Sequence, residues 1–330
     1  MIDVIIPTYR ARDLLPQALD SLVCQTKKMF ITTIVQDYDG EDYSDIIKEY
    51  TKRGLKIRLL KTPENGGPGM ARQYGMDKDT MSTYFMFLDA DDIMMPRAVE
   101  ILSREAQTNN ADLVAGNFIS EQAHSPGIVM YADSVPCTWT HGKIYNAKYL
   151  RDNNIRFIKG LRYNEDSYFN LVAHNCTKKK YTVNEVVYLW RQNPNSLTRT
   201  EGINQSKFFF KSWEMYIYGQ VEGMLKILEL RDVIEPSLLA ATLANIYSHE
   251  MRAIHYNLNT DLADSYLSKL KENEKIQEAI DTDKFWKAIA SSLKACILTN
   301  DNTLIFFKQR FPDWLNERII KEKKDERIYR

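Results

Sequence analysis

Residues 84–92 read Tyr84-Phe85-Met86-Phe87-Leu88-Asp89-Ala90-Asp91-Asp92, five apolar or aromatic side chains running straight into three carboxylates. A short run this rich in aromatics reads as a buried strand, and acids at its C-terminal end fall in the crevice where open α/β sheets bind ligands. Asp89 and Asp91 are two apart, so an extended chain points both to one face, and a tight turn brings Asp92 to the same spot. Carboxylates this crowded repel unless a hard divalent cation neutralises them. Mg²⁺ or Mn²⁺ held by one or two carboxylates usually completes its shell with phosphate oxygens. An Asp-x-Asp is also a common solvated turn with an Asp helix cap, so the neighbouring sequence must decide between the two.

Upstream, Val4-Ile5-Ile6 predicts a strand closed by Pro7-Thr8-Tyr9. Asp13 is placed to cap a helix in which Leu14, Leu15, Ala18, Leu19, Leu22 and Val23 keep helical spacing, with Pro16 in its first turn. A second strand over 31–35 ends in Asp37-Tyr38-Asp39-Gly40-Glu41-Asp42, again placing acids just beyond a strand. Ile46, Ile47 and Tyr50 mark a helix, and 56–60 a third strand. Alternating β and α elements predict a mainly parallel sheet with right-handed crossovers. Asn65-Gly66-Gly67-Pro68-Gly69-Met70-Ala71-Arg72 then reads as a glycine-rich turn feeding a helix. It meets neither G-x-G-x-x-G nor G-x-x-x-x-G-K-[ST], which disfavours a nicotinamide or P-loop nucleotide site. Arg72 in the first helical turn is within reach of a diphosphate, and a helix N-terminus favours anions; the plain alternative is a tight loop.

Downstream, 98–106 reads as a helix, 112–118 as a strand, 120–134 as polar and irregular, and 137–145 as a mixed segment. Asn164 is placed to cap a helix with Glu165-Asp166 in its first turn. Those acids either complement the helix dipole or supply the base of a transfer reaction. His249 and His255 are six apart rather than the four of a zinc-protease helix, so that stretch reads as structural. From about residue 200 the apolar residues repeat at helical spacing: Phe208, Phe209, Trp213, Tyr216 and Ile217, then Leu238, Leu239, Leu243 and Ile246, then Ile289, Leu293 and Ile297. About five helices are expected, with Pro236 and Pro312 at starts or breaks. They would pack on the sheet domain or on a second subunit, the route to a homo-oligomer. Residues 321–330 read as a frayed end.

The 330 residues carry 44 Lys plus Arg against 44 Asp plus Glu, so no global field selects nucleic acid or an acidic membrane. No apolar run approaches the roughly 18 to 20 residues of a transmembrane segment, and Met1-Ile2-Asp3 enters a strand without a signal-peptide pattern. The expectation is a cytoplasmic protein, or one peripheral to a membrane. Cys24, Cys137, Cys176 and Cys296 form no C-x-x-C pair, so reduced thiols, mostly core filler, are expected rather than disulfides or zinc.

In order and spacing, these fragments resemble family 2 glycosyltransferases, inverting enzymes of the GT-A fold, over roughly residues 2–200. The marks are Val4 to Tyr9, Ser21-Leu22 and Gln25-Thr26, the acidic strand end at Asp37, Asn65-Gly66-Gly67 with Ala71-Arg72, and Phe87 to Asp92. Gly142-Lys143-Ile144-Tyr145, Glu165-Asp166 and the segment from Tyr188 to Arg199 complete the set. The resemblance implies an α/β GT-A domain over 1–200, Rossmann-like with helices flanking a mainly parallel sheet, and the helical spacing beyond it predicts an all-helical extension over 201–330. The resemblance also implies a nucleotide-sugar donor, UDP-linked first of all, bound near Pro7, Thr8, Tyr9, Asp37, Asp89 and Ala90, with Arg72 supporting the nucleotide. Asp91, with Asp89 close by, would ligate Mn²⁺ or Mg²⁺ on the diphosphate. Asp166 matches the family's catalytic base and Glu165 its neighbour, while Arg191, Ser196 and Arg199 lie in a late loop that folds over the donor. The family commonly has Asp-Asp-Gly-Ser after its second strand, whereas Tyr38 interrupts that pattern here and puts the base pocket in question. The acceptor would be a glycan, a lipid-linked or other hydroxyl; a protein or a hydroxylated nucleic-acid base is the alternative. An inactive sugar-nucleotide-binding scaffold is the non-enzymatic reading.

Overall fold

Strand β1, Ile2–Thr8, is buried along nearly its whole length, as a central strand covered on both faces must be. The computed structural model describes residues 1–121, 129–131, 138–191, 193, 205–296 and 302–321. The chain divides into two compact units, Met1–Gly202 and Ile203–Arg330, each with its own hydrophobic core.

In the first unit, β1 is followed by α1 (Leu15–Val23), β2 (Phe30–Gln36), α2 (Ser44–Lys52), β3 (Ile57–Lys61), α3 (Pro68–Lys78) and β4 (Tyr84–Phe87). The two-residue β5 (Ile93–Met94) leads into α4 (Ala98–Thr108) and β6 (Leu113–Glu121). Then come β7 (Val129–Tyr131), β8 (Lys143–Asn146), α5 (Ala147–Asp152), α6 (Glu165–Asn175) and β9 (Lys180–Trp190). The sheet runs β3-β2-β1-β4-β8-β6-β9-β5, with β7 paired to β6. The pairs β1–β2, β2–β3 and β1–β4 are parallel, whereas β8 lies antiparallel to both β4 and β6. Successive strands step outward from β1 to β3, and the chain then returns to lay β4 on the other side of β1. That reversal is a topological switch point, and the crevice it opens lies at the C-terminal ends of β1, β2 and β4. Pro7 to Tyr9, Asp37 and Asp89 all follow or end those strands.

The second unit is all helical: α7 (Gln205–Arg231), α8 (Pro236–His255), α9 (Asp261–Lys271), α10 (Glu274–Ile280), α11 (Asp283–Cys296) and α12 (Asn302–Arg318). Its core includes Trp213, Ile217, Leu239, Leu243, Ile246, Ile289 and Leu293, all members of the periodic set. His249 stacks on Tyr216 with ring centroids 3.9 Å apart, a packing role. No described helix is long and apolar enough to cross a membrane.

Several local expectations need correction. Asp13 does not cap α1; Leu14 holds the N-cap position, and the N–H groups of Leu14 and Leu15 go to the Ala11 carbonyl. Asn164 adopts a left-handed φ of 59° and makes no capping side-chain bond to α6. Pro312 lies inside α12 rather than at its start. Residues 120–134 are not wholly irregular, since β6 runs through Glu121 and pairs with β7. Cys24 is exposed rather than core filler. The described helices of the second unit number six, not five.

At the sheet end away from the crevice, Asp3 is fully buried, taking hydrogen bonds from Thr33 Oγ1 at 2.8 Å and Arg58 Nη2 at 2.9 Å. Burial, reinforced by a hydrogen bond to Asp79, pushes Asp3 up to about 8. Burial also opposes charge on Asp79, but hydrogen bonds from Ser82 and Met81 outweigh it and hold Asp79 below its ordinary value. The proton therefore resides on Asp3. An unfolded Asp titrates near pH 3.9, so the folded chain binds this proton more tightly and loses the associated stability as pH rises from about 4 to about 8. Asp3→Asn keeps an oxygen for Thr33 and Arg58 and an N–H for Asp79. It is expected to flatten that dependence, raising Tm at about pH 9 by roughly 2–4 °C, or about 1 kcal/mol, in a pH series of thermal melts. Parallel wild-type and variant curves would contradict it.

Candidate active site

Helix α3 begins at Pro68, its N-cap Gly67 held at a φ of 84°, and one turn later it delivers Arg72 into the protein interior. The guanidinium is 4% exposed and reaches two carboxylates from distant parts of the chain. Nη2 donates to Asp89 Oδ1 at 2.5 Å, and Nη1 to Glu165 Oε1 at 2.8 Å. Burial by itself would lower the Arg72 pKa, but Asp89 and Glu165 outweigh it and hold the group charged. Burial also lifts Glu165, with Arg72 opposing. Helices α3 and α6 approach so closely that a Cβ added at Gly69 would lie 2.6 Å from Glu165 Cγ. Only glycine leaves room there for the glutamate that answers Arg72. Arg72 thus bridges the acidic turn and the first residue of α6.

The acidic turn itself is asymmetric. β4 ends at Phe87, and an Asp92 N–H to Asp89 carbonyl bond of 3.0 Å closes the turn. Asp89 is partly exposed, Ala90 is buried, and Asp91 is half-buried with Oδ2 accepting from Asn193 Nδ2 at 2.9 Å. Asp92 does not converge with them. It turns inward, 2% exposed, to accept from Tyr188 Oη at 2.7 Å and from the Arg191 N–H at 2.8 Å. Burial first, then repulsion from Asp89 and Asp91, raises its pKa well above the usual carboxylate range.

On the β1–β2 side, Thr8 is buried and its Oγ1 donates to the Val35 carbonyl, while Tyr9 is 48% exposed at the crevice rim. Pro7, half-buried, precedes them on β1. Asp37 accepts from Thr62 Oγ1 at 3.1 Å, Gly66 N–H at 3.0 Å and Gly67 N–H at 2.8 Å. The anion expected at the N-terminus of α3 is thus the protein's own Asp37. A carboxylate offers about four acceptor directions, so most of this one is committed to the glycine-rich turn. Tyr38, the interruption of the family pattern, sits at a φ of 52°, is 66% exposed, and leaves Asp39 turned inward onto Arg10 N–H and Tyr43 Oη.

At the N-terminus of α6, half-buried Asp166 accepts from the Ser167 N–H at 2.8 Å. Burial, then the neighbouring Glu165 charge, pushes it up to about 7, with Arg72 opposing. Arg191 anchors Asp92 through its backbone, and its guanidinium donates to Gln17. Ser196 and Arg199 lie outside the described residues. Tyr188 and Asn193, which contact the acidic turn, were not singled out by spacing alone, because their partners are about a hundred positions away.

Hard oxygen donors at Asp91 and Asp89 suit Mg²⁺ or Mn²⁺. No group of three or more metal-ligating side chains occurs among the described residues, so most of the shell would come from a diphosphate and water. A cavity of about 680 Å³ borders the glycine-rich turn, lined in part by Asn65, Tyr74, Phe157 and Arg162, but none of Asp89, Asp91 or Asp166 lines it.

Comparison with known proteins agrees with this architecture. Glycosyltransferase EpsJ of Bacillus subtilis (strain 168), itself uncharacterised, is 27% identical over 226 residues, covering 60% of this chain and 63% of EpsJ. Poly(ribitol-phosphate) beta-N-acetylglucosaminyltransferase TarS of Staphylococcus aureus (strain Mu50 / ATCC 700699) is 22% identical, covering 97% of this chain and 55% of TarS. The chain thus spans somewhat over half the length of these two relatives. The crystal structure of S. aureus TarS 1-349 in complex with UDP superposes with a TM-score of 0.66 at 18% identity, covering 94% of this chain and 88% of that one. A complex of the same TarS fragment with UDP-GlcNAc gives the same TM-score at 17% identity. Mannosyltransferase PcManGT of Pyrobaculum calidifontis, solved with GDP-Man and Mn²⁺, gives 0.52 at 12% identity, covering 91% of this chain and 86% of that one. The profile of Glycosyl transferase family 2 matches residues 3–169, just over half of the chain. The mixed sheet flanked by helices is the GT-A fold of those neighbours, and the chain belongs to glycosyl transferase family 2.

Proposed function

We propose that the protein is an inverting, divalent-metal-dependent glycosyltransferase. It moves a sugar from a nucleotide diphosphate-sugar, most simply a UDP-sugar, to an acceptor hydroxyl in glycan or polysaccharide synthesis. The observation that carries this reading is the charge balance around Arg72. Asp89, Glu165 and Asp166 act on one guanidinium, which is already bonded to the first two, and Asp91 follows Asp89 in the same turn. A nucleoside diphosphate adds further negative charge, so a dication at Asp91 and Asp89 is what makes room for it. Bound there, the metal would supply Lewis-acid stabilisation of the charge on the departing diphosphate. UDP as the carrier is supported by the UDP and UDP-GlcNAc complexes of TarS, and a polymer acceptor by that relative's poly(ribitol-phosphate) substrate.

Asp166 acts as base, taking the proton of the acceptor hydroxyl while that oxygen attacks the anomeric carbon from the face opposite the diphosphate, which inverts the centre. A carboxylate near 7 is well matched to this task at neutral pH. Glu165, fixed by Arg72, holds a negative charge beside Asp166 and helps keep its basicity high. Pro7, Thr8, Tyr9, Asp37 and Ala90 line the donor side, Asp37 mainly by shaping the glycine-rich turn. Arg191, Ser196 and Arg199 belong to the segment after β9 and remain donor-side candidates in this reading. Residues 1–200 form the transferase domain and 201–330 the helical extension, with self-association through the latter. The protein works in the cytoplasm or against a membrane surface. Balanced charge disfavours a nucleic-acid acceptor.

A thermal-shift screen of nucleotide sugars with Mn²⁺, followed by assay of nucleoside diphosphate release, tests the reading; no release with any acceptor would support the inactive scaffold instead. Asp166→Asn is expected to lower kcat by about 10² to 10⁴ while leaving UDP affinity unchanged. In the wild type, kcat/KM should fall tenfold per unit as pH drops below about 7, because protonated Asp166 cannot accept the acceptor proton. A flat acid limb, or turnover near wild type in the variant, removes Asp166 from the role. Asp91→Asn is expected to abolish the Mn²⁺-dependent part of UDP binding and to cost at least about 100-fold in turnover. Full metal-dependent activity in that variant would move the metal site elsewhere.

A further inference from the structure

We propose that Tyr188 is a positioning residue of the transfer site, its hydroxyl setting the geometry of the Asp89–Asp92 turn from beneath. The inference rests on reading that turn as the metal and diphosphate site.

The last strand of the first unit is what brings Tyr188 there. β9 pairs antiparallel with β5, matching Tyr188 to Met94 and Leu189 to Ile93, and Met95 N–H bonds the Val187 carbonyl at 3.0 Å. The chain that leaves the acidic turn is therefore laid directly along β9. Tyr188 is fully buried, and both partners of its hydroxyl belong to the turn. It accepts from the Asp89 N–H at 3.2 Å and donates to Asp92 Oδ2 at 2.7 Å. One oxygen thus ties the backbone of the first acid to the side chain of the last. The second oxygen of Asp92 is held by the Arg191 N–H, three residues further along the same segment. Asp91, between the two tied acids, accepts from Asn193 Nδ2 at 2.9 Å.

The ring is held as firmly as the hydroxyl. His141 stacks on Tyr188 with centroids 4.8 Å apart and planes 18° apart, and Trp139 stacks on His141 at 5.5 Å and 11°. Phe118 meets His141 edge-on at 4.5 Å. Burial, then the charges of Lys143 and Arg72, keep His141 neutral, so it serves this stack as an aromatic plate. A phenol so clamped cannot follow the turn if the turn moves. Phenylalanine would fill the same space but leave a buried Asp92 oxygen and the Asp89 N–H without their partner, a loss that shifts backbone rather than packing.

Tyr188→Phe in the full chain tests this. In the protein without ligands, hydrogen exchange at the Asp89 amide is expected to accelerate about tenfold or more, with Tm lowered by only a few degrees. By calorimetry, UDP affinity in the presence of Mn²⁺ should weaken by about tenfold while UDP affinity without metal stays within about twofold, and kcat should fall by about 10 to 100-fold. Wild-type Mn²⁺-dependent UDP affinity and kcat in the variant, whatever its Tm, would overturn the assignment. If Tyr188→Phe does not fold, Asp92→Asn, which keeps the shape but weakens the same bond, takes its place. Weakened Mn²⁺-dependent affinity is then expected, and unchanged affinity overturns the proposal. A wild-type protein that takes up no UDP with Mn²⁺ sinks the transfer reading itself and the role of Tyr188 with it, a result distinguishable from failure of the variant alone.

Discussion

One buried guanidinium holds the two halves of this site together. Taking the Arg72 charge out of water is costly and is tolerated only when well-placed carboxylates answer it. Here the answers come from Asp89, just past β4, and from Glu165, the first residue of α6. Because neither carboxylate alone satisfies the fork, the acidic turn and helix α6 are fixed relative to one another. The closeness of Gly69 to Glu165 shows that the backbone is arranged around this contact. Removing one partner of such a group leaves an uncompensated buried charge, so the arrangement is nearly all-or-none.

The other acids divide by the same logic. Asp37 is spent on the N–H groups of the glycine-rich turn, and Asp92 on Tyr188 and the Arg191 backbone. Asp39 ties the loops after β1 and β2. These three shape the crevice. Asp91 accepts from Asn193, and Asp166 is tuned near neutrality by burial and by Glu165, the two acids that the proposed mechanism puts to work.

Much of this was legible in the residues alone. The alternation of apolar runs and helical spacings predicted the parallel half of the sheet, because buried central strands leave long apolar signatures such as Val4 to Ile6 and Tyr84 to Leu88. The acids at strand ends fell at the switch point because chain reversal around β1 follows from that same order. What escaped were roles decided by distant partners. Nothing near Arg72 in sequence announces Glu165, 93 positions on, so its bridge to α6 did not show in the sequence. Asp92 read as converging on Asp91 until Tyr188 drew it inward. Asp13 and Asn164 looked like caps by residue type, yet the Ala11 carbonyl and a left-handed backbone took over those helix starts. Pro312 read as a boundary, although α12 carries it within its length.

The most direct test of the account is single-turnover sugar transfer by Arg72→Lys, measured alongside its Tm and its affinity for UDP with Mn²⁺. An ammonium keeps the charge but lacks the planar fork needed to span Asp89 and Glu165. If the bridge organises the site, transfer falls by about 100-fold or more in protein that is still folded at the assay temperature. Transfer within about threefold of wild type would contradict the account, because the acidic turn and the base would then hold their places without the guanidinium between them.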